Sequence, residues 1–188
     1  MTPDAGTVLL PIARATIARP LGVEVAARED APWLTELGAT FVTLKKSGAL
    51  RGCIGSLEAR RMLLVDVKSN AVAAAFRDPR FPPVTAWELD EIRIEVSLLS
   101  PMQPIDFESE DDATARLRPF EDGVVLEYGG ARGTFLPQVW EDLPDPAAFL
   151  SQLKRKAGLP LSFWASDLRL FRYTVSKWSE TEPAIAPC

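Results

Sequence analysis

The stretch Arg51-Gly52-Cys53-Ile54-Gly55 is the sharpest local feature of the sequence, and it decides how the surrounding chain folds. It follows the apolar run 41–44 (FVTL) across Lys46-Ser47-Gly48, where Gly48 can adopt the positive φ that a tight turn needs. The two runs therefore predict a β-hairpin. Because side chains alternate between the faces of a strand, Arg51 and Cys53 are expected to share one face.

Two interpretations of this hairpin stay open. A guanidinium beside a thiol favours the reactive thiolate, so the motif could hold an activated Cys53 or an anion site anchored by Arg51. Gly52 and Gly55 lack side chains and would let another backbone or a ligand approach closely. Alternatively, Cys53 is a small buried residue in a tightly packed hairpin, since free cysteine is among the most buried residue types.

The stretch Asp78-Pro79-Arg80-Phe81 is the second feature that could carry chemistry. Proline stiffens the loop, so Arg80 has a restricted position and could bind a carboxylate or phosphate through two hydrogen bonds. The plainer interpretation is a helix terminator followed by an aromatic plug and an exposed arginine. In the functional interpretation, Arg51 and Arg80 converge on one cleft.

Hydrophobic spacing along the rest of the chain predicts helices and strands. Helical spacing runs through 9–17, where Pro11 should start or kink the helix, and through 64–75. The further predicted helices are a short one with a capping box at 85–88, one at 112–117, and one that follows the N-cap Asp145 and ends before Gly158. The predicted strands are 92–98, 124–128, 134–136 and 168–175. Residues 180–188 are expected to form a loose tail. Strands occur in hairpins rather than in strand-helix-strand repeats, so the fold class is α+β, an antiparallel sheet with flanking helices.

Composition excludes several classes of function. The chain has 188 residues, no histidine and two cysteines, so neither a Ser-His-Asp or Cys-His machinery nor a four-ligand zinc site can form within it. We therefore expect no metal and no cofactor. The net charge of −5 argues against nonspecific nucleic-acid binding, which requires neutralising phosphates. No apolar run approaches the ~18 residues that span a bilayer, so we expect a cytoplasmic protein without membrane contact.

A series of motifs resembles the AMMECR domain family. The matching stretches are 41–44 (FVTL), 50–55 (LRGCIG), 73–76 (AAAF), 78–83 (DPRFPP), 95–97 (EVS), 134–140 (TFLPQVW) and 156–159 (KAGL). They follow the order typical of the family and cover nearly the whole chain. Two departures stand out. Pro11 interrupts the first helix, and residues 131–133 occupy a place where many relatives are expected to carry a histidine.

The resemblance implies a single two-lobed domain over residues 1–180, with a flexible C-terminal tail at 181–188. The larger lobe would hold both termini, and the cysteine motif would border a groove between this lobe and the smaller one. The resemblance also implies association, by gene grouping, with a Memo-like protein of dioxygenase fold and with a radical-SAM protein. The resemblance does not imply that the chain catalyses a particular reaction.

Three functions are compatible with these observations, and each allows a homodimer. The leading one is a binding or accessory module that holds an anionic small molecule or a modified peptide for the partner enzymes. Its ligand-binding residues would be Arg51, Gly52, Gly55 and Arg80. The rival is an enzyme with Cys53 as a thiolate nucleophile and backbone amides of the glycines stabilising an oxyanion. The third is a structural adaptor without a ligand.

Overall fold

The computed structural model of the chain describes residues 5–181. In chain order its elements are α1 Ala5–Ala18, β1 Leu37–Lys46, β2 Ala49–Gly55, β3 Arg61–Met62, α2 Leu63–Phe76, β4 Ile92–Leu99, β5 Gln103–Ile105, α3 Glu110–Arg116, β6 Gly123–Tyr128, β7 Ala131–Phe135, α4 Pro146–Lys156, β8 Arg169–Tyr173 and β9 Val175–Ser179. Contacts divide the chain into two compact units, Met1–Leu99 with Ser176–Cys188, and Ser100–Val175. Antiparallel pairing and flanking helices confirm the predicted α+β class.

The first unit is built on a sheet of strand order β2-β1-β4-β9, with β3 paired to the start of β1. Ile92, Ile94 and Val96 of β4 are fully buried and pack with the apolar stripes of α1 and α2. The α2 stripe is rich in alanine, so this helix comes very close to β2. A Cβ built on Gly52 would lie 2.2 Å from the carbonyl oxygen of Ala74, and only glycine fits there.

A buried polar network fastens α2 to β1 and to the segment that follows β2. The Asp66 carboxylate accepts hydrogen bonds from the backbone N–H and the hydroxyl of Thr40, and from Asn70 Nδ2. Its other oxygen accepts from Ser56 Oγ at 2.8 Å and from Arg61 Nε at 2.8 Å. A fully buried carboxylate is tolerated here because its oxygens are well supplied with donors.

The second unit has a four-stranded antiparallel sheet of order β5-β8-β6-β7. Its core contains Trp140, which stacks on Phe149 of α4 with ring centroids 3.7 Å apart. The Trp140 indole N–H donates to the backbone oxygen of Asp122 at 2.7 Å. Asp145 caps α4 by accepting from the Ala148 N–H, as its position before Pro146 predicts.

The two ends of the second unit are joined by hydrogen bonds. The Ser100 N–H donates to the Thr174 carbonyl oxygen at 2.9 Å, and the Thr174 N–H donates to Ser100 Oγ at 2.9 Å. The chain therefore enters and leaves this unit at adjacent residues.

Several sequence-based expectations need correction. Of the two alternatives at Pro11, a helix start is wrong, because α1 runs through this residue from Ala5 to Ala18. The single strand expected at 168–175 is two strands, β8 and β9. Pairing with β6 ends at Tyr173, and the Thr174 N–H donates to Ser100 Oγ instead of to a strand. Glu180 is not part of a loose tail. Its N–H donates to the Ile94 oxygen, and its carboxylate binds Arg14. Beyond Thr181, the predicted tail 181–188 lies outside the described residues.

Candidate functional site

The hairpin of β1 and β2 contains a bulge at Arg51. Leu44 lies opposite Gly52 and Lys45 lies opposite Leu50, so Arg51 is an additional residue in β2. The turn itself has positive φ at both Ser47 and Gly48, as a two-residue hairpin loop requires. A bulge interrupts the alternation of side chains along a strand. The alternation of side chains along a regular strand therefore cannot be used to place Arg51 and Cys53 on the same face.

The Arg51 guanidinium is bound by Glu88, which sits in the short 3-10 helix Ala86–Glu88. Arg51 Nε donates to Glu88 Oε1 at 3.0 Å and Nη2 donates to Oε2 at 3.1 Å. These bonds, together with the N–H of Thr85, overcome the effect of burial and lower the pKa of Glu88 to about 2. Arg51 Nη1 is buried and has no acceptor among residues 5–181. Arg51 thus joins the bulge to the capped turn at 85–88.

Asp78 and Arg80 bind the backbone of Cys53 from the outer edge of β2. The Cys53 N–H donates to Asp78 Oδ2 at 2.9 Å, and Arg80 Nη2 donates to the Cys53 carbonyl oxygen at 3.1 Å. Arg80 also donates through Nε and Nη2 to the Asp78 carboxylate, at 2.9 and 2.7 Å. The Arg80 hydrogen bonds are the main reason why the pKa of Asp78 lies far below its ordinary value, against the effect of burial. The pair occupies the edge as a neighbouring strand would.

The Cys53 thiol is half-buried and is hydrogen-bonded by a neighbouring strand. Thr43 of β1, which lies opposite Cys53, donates its hydroxyl hydrogen to Sγ at 3.2 Å. Arg80 reaches the same residue through the Cys53 carbonyl oxygen. The pKa of Arg80 is raised mainly by its hydrogen bonds to Asp78, and the negative charge of a Cys53 thiolate adds to this rise.

Glu95 of β4 lies on the other side of Thr43, so Cys53, Thr43 and Glu95 form a row across three strands. Glu95 accepts hydrogen bonds from Lys45 Nζ at 3.2 Å and Ser179 Oγ at 3.1 Å. Burial opposes ionisation of Glu95, but these bonds outweigh it and its pKa is lowered. Glu95 is therefore a charged carboxylate in this row whose oxygens accept hydrogen bonds from Lys45 and Ser179.

The two glycines of the motif are explained by packing. Gly52 faces the backbone of α2, as described above, and a Cβ on Gly55 would lie 2.3 Å from the ring of Phe41. The space at both glycines is thus taken by atoms of the same unit. The atoms that approach these glycines closely belong to the protein itself.

The expected site residues do not all share the same hydrogen-bond partners. Cys53 and Arg80 meet through the Asp78 carboxylate, whereas Arg51 is bound to a different carboxylate, Glu88. Sequence reasoning did not predict the contacts of Asp78, Thr43, Glu88 and Glu95 with this motif. The capping box at 85–88 was recognised, but nothing in its spacing shows that Glu88 also binds an arginine from another strand. Thr43 could have been found from the hairpin register alone.

Two further features bear on function. Between residues 5 and 181, no group of three or more His, Cys, Asp or Glu side chains could hold a metal ion. Over the same residues, each helix is too short or too polar to cross a membrane.

Together these elements define a class of protein: an α+β chain of two antiparallel sheets with a cysteine-arginine-aspartate cluster at the edge of the first. The chain belongs to the AMMECR1 family, whose family model matches residues 10–178. A protein of Methanothermobacter thermautotrophicus is 40% identical over 182 residues, covering 94% of this chain and 95% of the relative. Protein MJ0810 of Methanocaldococcus jannaschii is 36% identical over 188 residues, covering 97% and 94%.

A solved structure has the same fold as this chain. The uncharacterized protein PH0010 from Pyrococcus horikoshii superimposes with a TM-score of 0.78 at 33% sequence identity. The match covers 97% of this chain and 95% of that protein. These relatives establish the family and the fold of the chain, and their names assign no activity.

Proposed function

We propose that the chain is a binding module that holds an anionic group beside Cys53 and Arg80. The group belongs to a small molecule or to a modified peptide. The Asp78-Arg80-Cys53 cluster carries this proposal. It fixes a guanidinium at the edge of β2, yet the Arg80 side chain keeps about half of its surface exposed, at 52%. Its Nη1 has no acceptor among the described residues and can donate to a ligand oxygen.

Arg51 has a supporting part in this proposal. Two of its nitrogens are bound to Glu88, and its buried Nη1 can reach only a ligand atom that enters the interior. The module would present its ligand to Memo-like and radical-SAM partner enzymes, as the resemblance to bacterial AmmeMemoRadiSam proteins implies. Gly52 and Gly55 would shape the strand without contacting the ligand through side chains.

The test is native mass spectrometry of the purified, folded chain with inorganic phosphate as the probe. We expect a bound anion that is lost in Arg80→Gln and retained in Arg169→Gln. Arg169 is a matched control because it is also an exposed, ion-paired arginine, at 68% exposure, but it lies in the second unit. Failure of the wild-type chain to bind phosphate above the level of Arg80→Gln would refute the anion site.

The alternative function is an enzyme in which Cys53 acts as a nucleophile. The hydrogen bond that the Thr43 hydroxyl donates to Cys53 Sγ, at 3.2 Å, is the observation that favours it. The discriminating measurement is the alkylation rate of Cys53 by iodoacetamide in a Cys188→Ser background, with N-acetylcysteine as reference. A rate well above that of the reference thiol supports the nucleophile. A rate at or below that of the reference thiol rules out the nucleophile. Two functions then remain, the binding module and the structural adaptor that has no ligand.

A further inference from the structure

The second unit carries a surface concavity that has no part in the Cys53 cluster. It lies between α4 and the chain that follows β7, and its volume is about 620 Å³. Small-molecule sites typically enclose roughly 300–1,000 Å³. The concavity is therefore large enough for a small organic ligand.

One side of the concavity is apolar. Phe135, Val139 and Leu143 line it, and all three pack against the core of the second unit. The Phe135 ring is fixed from behind by the ring of Phe149, with centroids 5.2 Å apart and an interplanar angle of 70°. An aromatic wall in a fixed orientation provides a surface for an apolar or aromatic group.

The other side is basic. Arg155 and Lys156 extend from the last turn of α4, and the Lys156 ammonium lies 4.8 Å from the centroid of the Phe135 ring. Across residues 5–181, neither side chain has a carboxylate partner or a hydrogen bond. Their neighbour Lys154 differs, because it is buried and bound to Glu110. Among the described residues, these two cations next to an aromatic wall thus form no ion pair.

The backbone at this helix end does not require those cations. The carbonyl oxygens of Leu153, Lys154 and Arg155 accept N–H groups from residues 157–159. Cations are favourable near a helix C-terminus, but here the carbonyl groups are already satisfied. The one acidic residue of the lining, Asp142, leaves an excess of positive charge.

We propose that this concavity binds a small carboxylic acid that carries an aromatic or branched apolar group. Arg155 and Lys156 bind the carboxylate, and the apolar group packs against Phe135, Val139 and Leu143. Charge complementarity selects the anion, and the apolar wall excludes acids without a hydrophobic body. This site is separate from the proposed anion site at Arg80, and each can fail without the other.

The experiment is a titration of the full ¹⁵N-labelled chain with 3-phenylpropionate, followed by NMR. We expect saturable shifts of backbone amides in α4 and in the segment 135–143. The neutral analogue 3-phenylpropanamide should bind more weakly, by about tenfold, because it lacks the charge. The double variant Arg155→Gln, Lys156→Gln should weaken 3-phenylpropionate binding by a similar factor. Both side chains are exposed, so the fold should be unaffected, which the spectrum of the variant also reports.

Arg169→Gln is the control, because it removes an exposed cation from the same unit outside the concavity. Shifts that are absent, that are equal for acid and amide, or that persist in the double variant would each overturn the proposal. Weakening by Arg169→Gln to the same extent would also overturn it, since the effect would then reflect net charge alone.

Discussion

At the scale of single residues, the environment of Cys53 depends on groups from three directions. Thr43 donates to its sulfur, Asp78 accepts its amide hydrogen, and Arg80 donates to its carbonyl oxygen. Arg51, its neighbour in sequence, is instead bound to Glu88. The cysteine is thus controlled by residues that are distant in the sequence.

Arg80 should affect the reactivity of Cys53 more than Arg51 does. In a Cys188→Ser background, Arg80→Gln should slow alkylation by iodoacetamide at neutral pH, because it removes a positive charge that is hydrogen-bonded to the Cys53 backbone. Arg51→Gln should have a smaller effect, since the Arg51 hydrogen bonds go to Glu88 and not to Cys53. Equal slowing by both substitutions, or faster alkylation of Arg80→Gln, would contradict this prediction.

Glu88 should make the stability of the chain sensitive to acid. Its pKa is lowered from 4.5 to about 2 in the folded state, so the ionised form stabilises the fold above pH 4.5. This contribution is lost as the pH falls from 4.5 towards 2. Glu88→Gln should reduce the free energy of unfolding by about 2 kcal/mol at pH 7, because Arg51 is left partly buried without its partner.

The measurement for Glu88 is urea denaturation at pH 7 and pH 3. The difference between wild type and Glu88→Gln should shrink at the lower pH. Glu91→Gln is the control, because Glu91 binds Lys46 at the surface, is 58% exposed and should contribute little. A wild-type to Glu88→Gln difference that stays constant over this range would show that the ion pair is not its source.

At the scale of elements, the contact between β2 and α2 depends on a missing side chain. Gly52→Ala places a methyl group against the backbone carbonyl of Ala74, which can move only with the helix. We expect a loss of about 1–3 kcal/mol in the free energy of unfolding. Gly55→Ala meets the half-buried Phe41 ring, which can rotate, so its loss should be smaller. Thermal denaturation compares the two, and an equal loss would argue against the role of the helix backbone.

The edge of β2 should open when Asp78 is removed. Asp78→Ala leaves the Cys53 N–H without its acceptor and frees Arg80 from the edge. The Cys53 amide should then exchange with deuterium about tenfold faster or more, whereas Asp30→Ala, at an exposed residue, should not change it. Unchanged protection of the Cys53 amide in Asp78→Ala would mean that the carboxylate does not hold the edge.

The elements themselves were largely predictable from the sequence, whereas their side-chain partners were not. The hairpin, α2, β4 and α4 follow from hydrophobic spacing and from turn and cap residues such as Gly48 and Asp145. The bulge at Arg51 was not predictable, because one additional residue in a strand leaves no mark in composition or period. Asp78 was recognised only as a helix terminator, since its second role requires the position of Cys53 in space.

At the scale of the whole molecule, the chain consists of one discontinuous unit and one continuous unit. The continuous unit has its own core, including the stacked Trp140 and Phe149, and its ends are bound to each other. A fragment of residues 100–175 should therefore fold alone and retain the near-ultraviolet circular dichroism of a packed tryptophan. The same fragment with Ser100→Ala should be less stable, because the Thr174 N–H loses its acceptor. A fragment without a cooperative thermal transition would contradict this prediction.

The bond between Ser100 and Thr174 also has an evolutionary consequence. A segment that begins and ends at one place can be lengthened, shortened or exchanged as a cassette while β4 and β9 keep their sequences. A protein engineer could replace residues 101–173 with a tight turn, or graft in a foreign domain whose termini are adjacent. Changes between relatives in this segment would then alter the surface around Phe135 and Arg155 and leave the β1–β2 hairpin that carries Cys53 untouched.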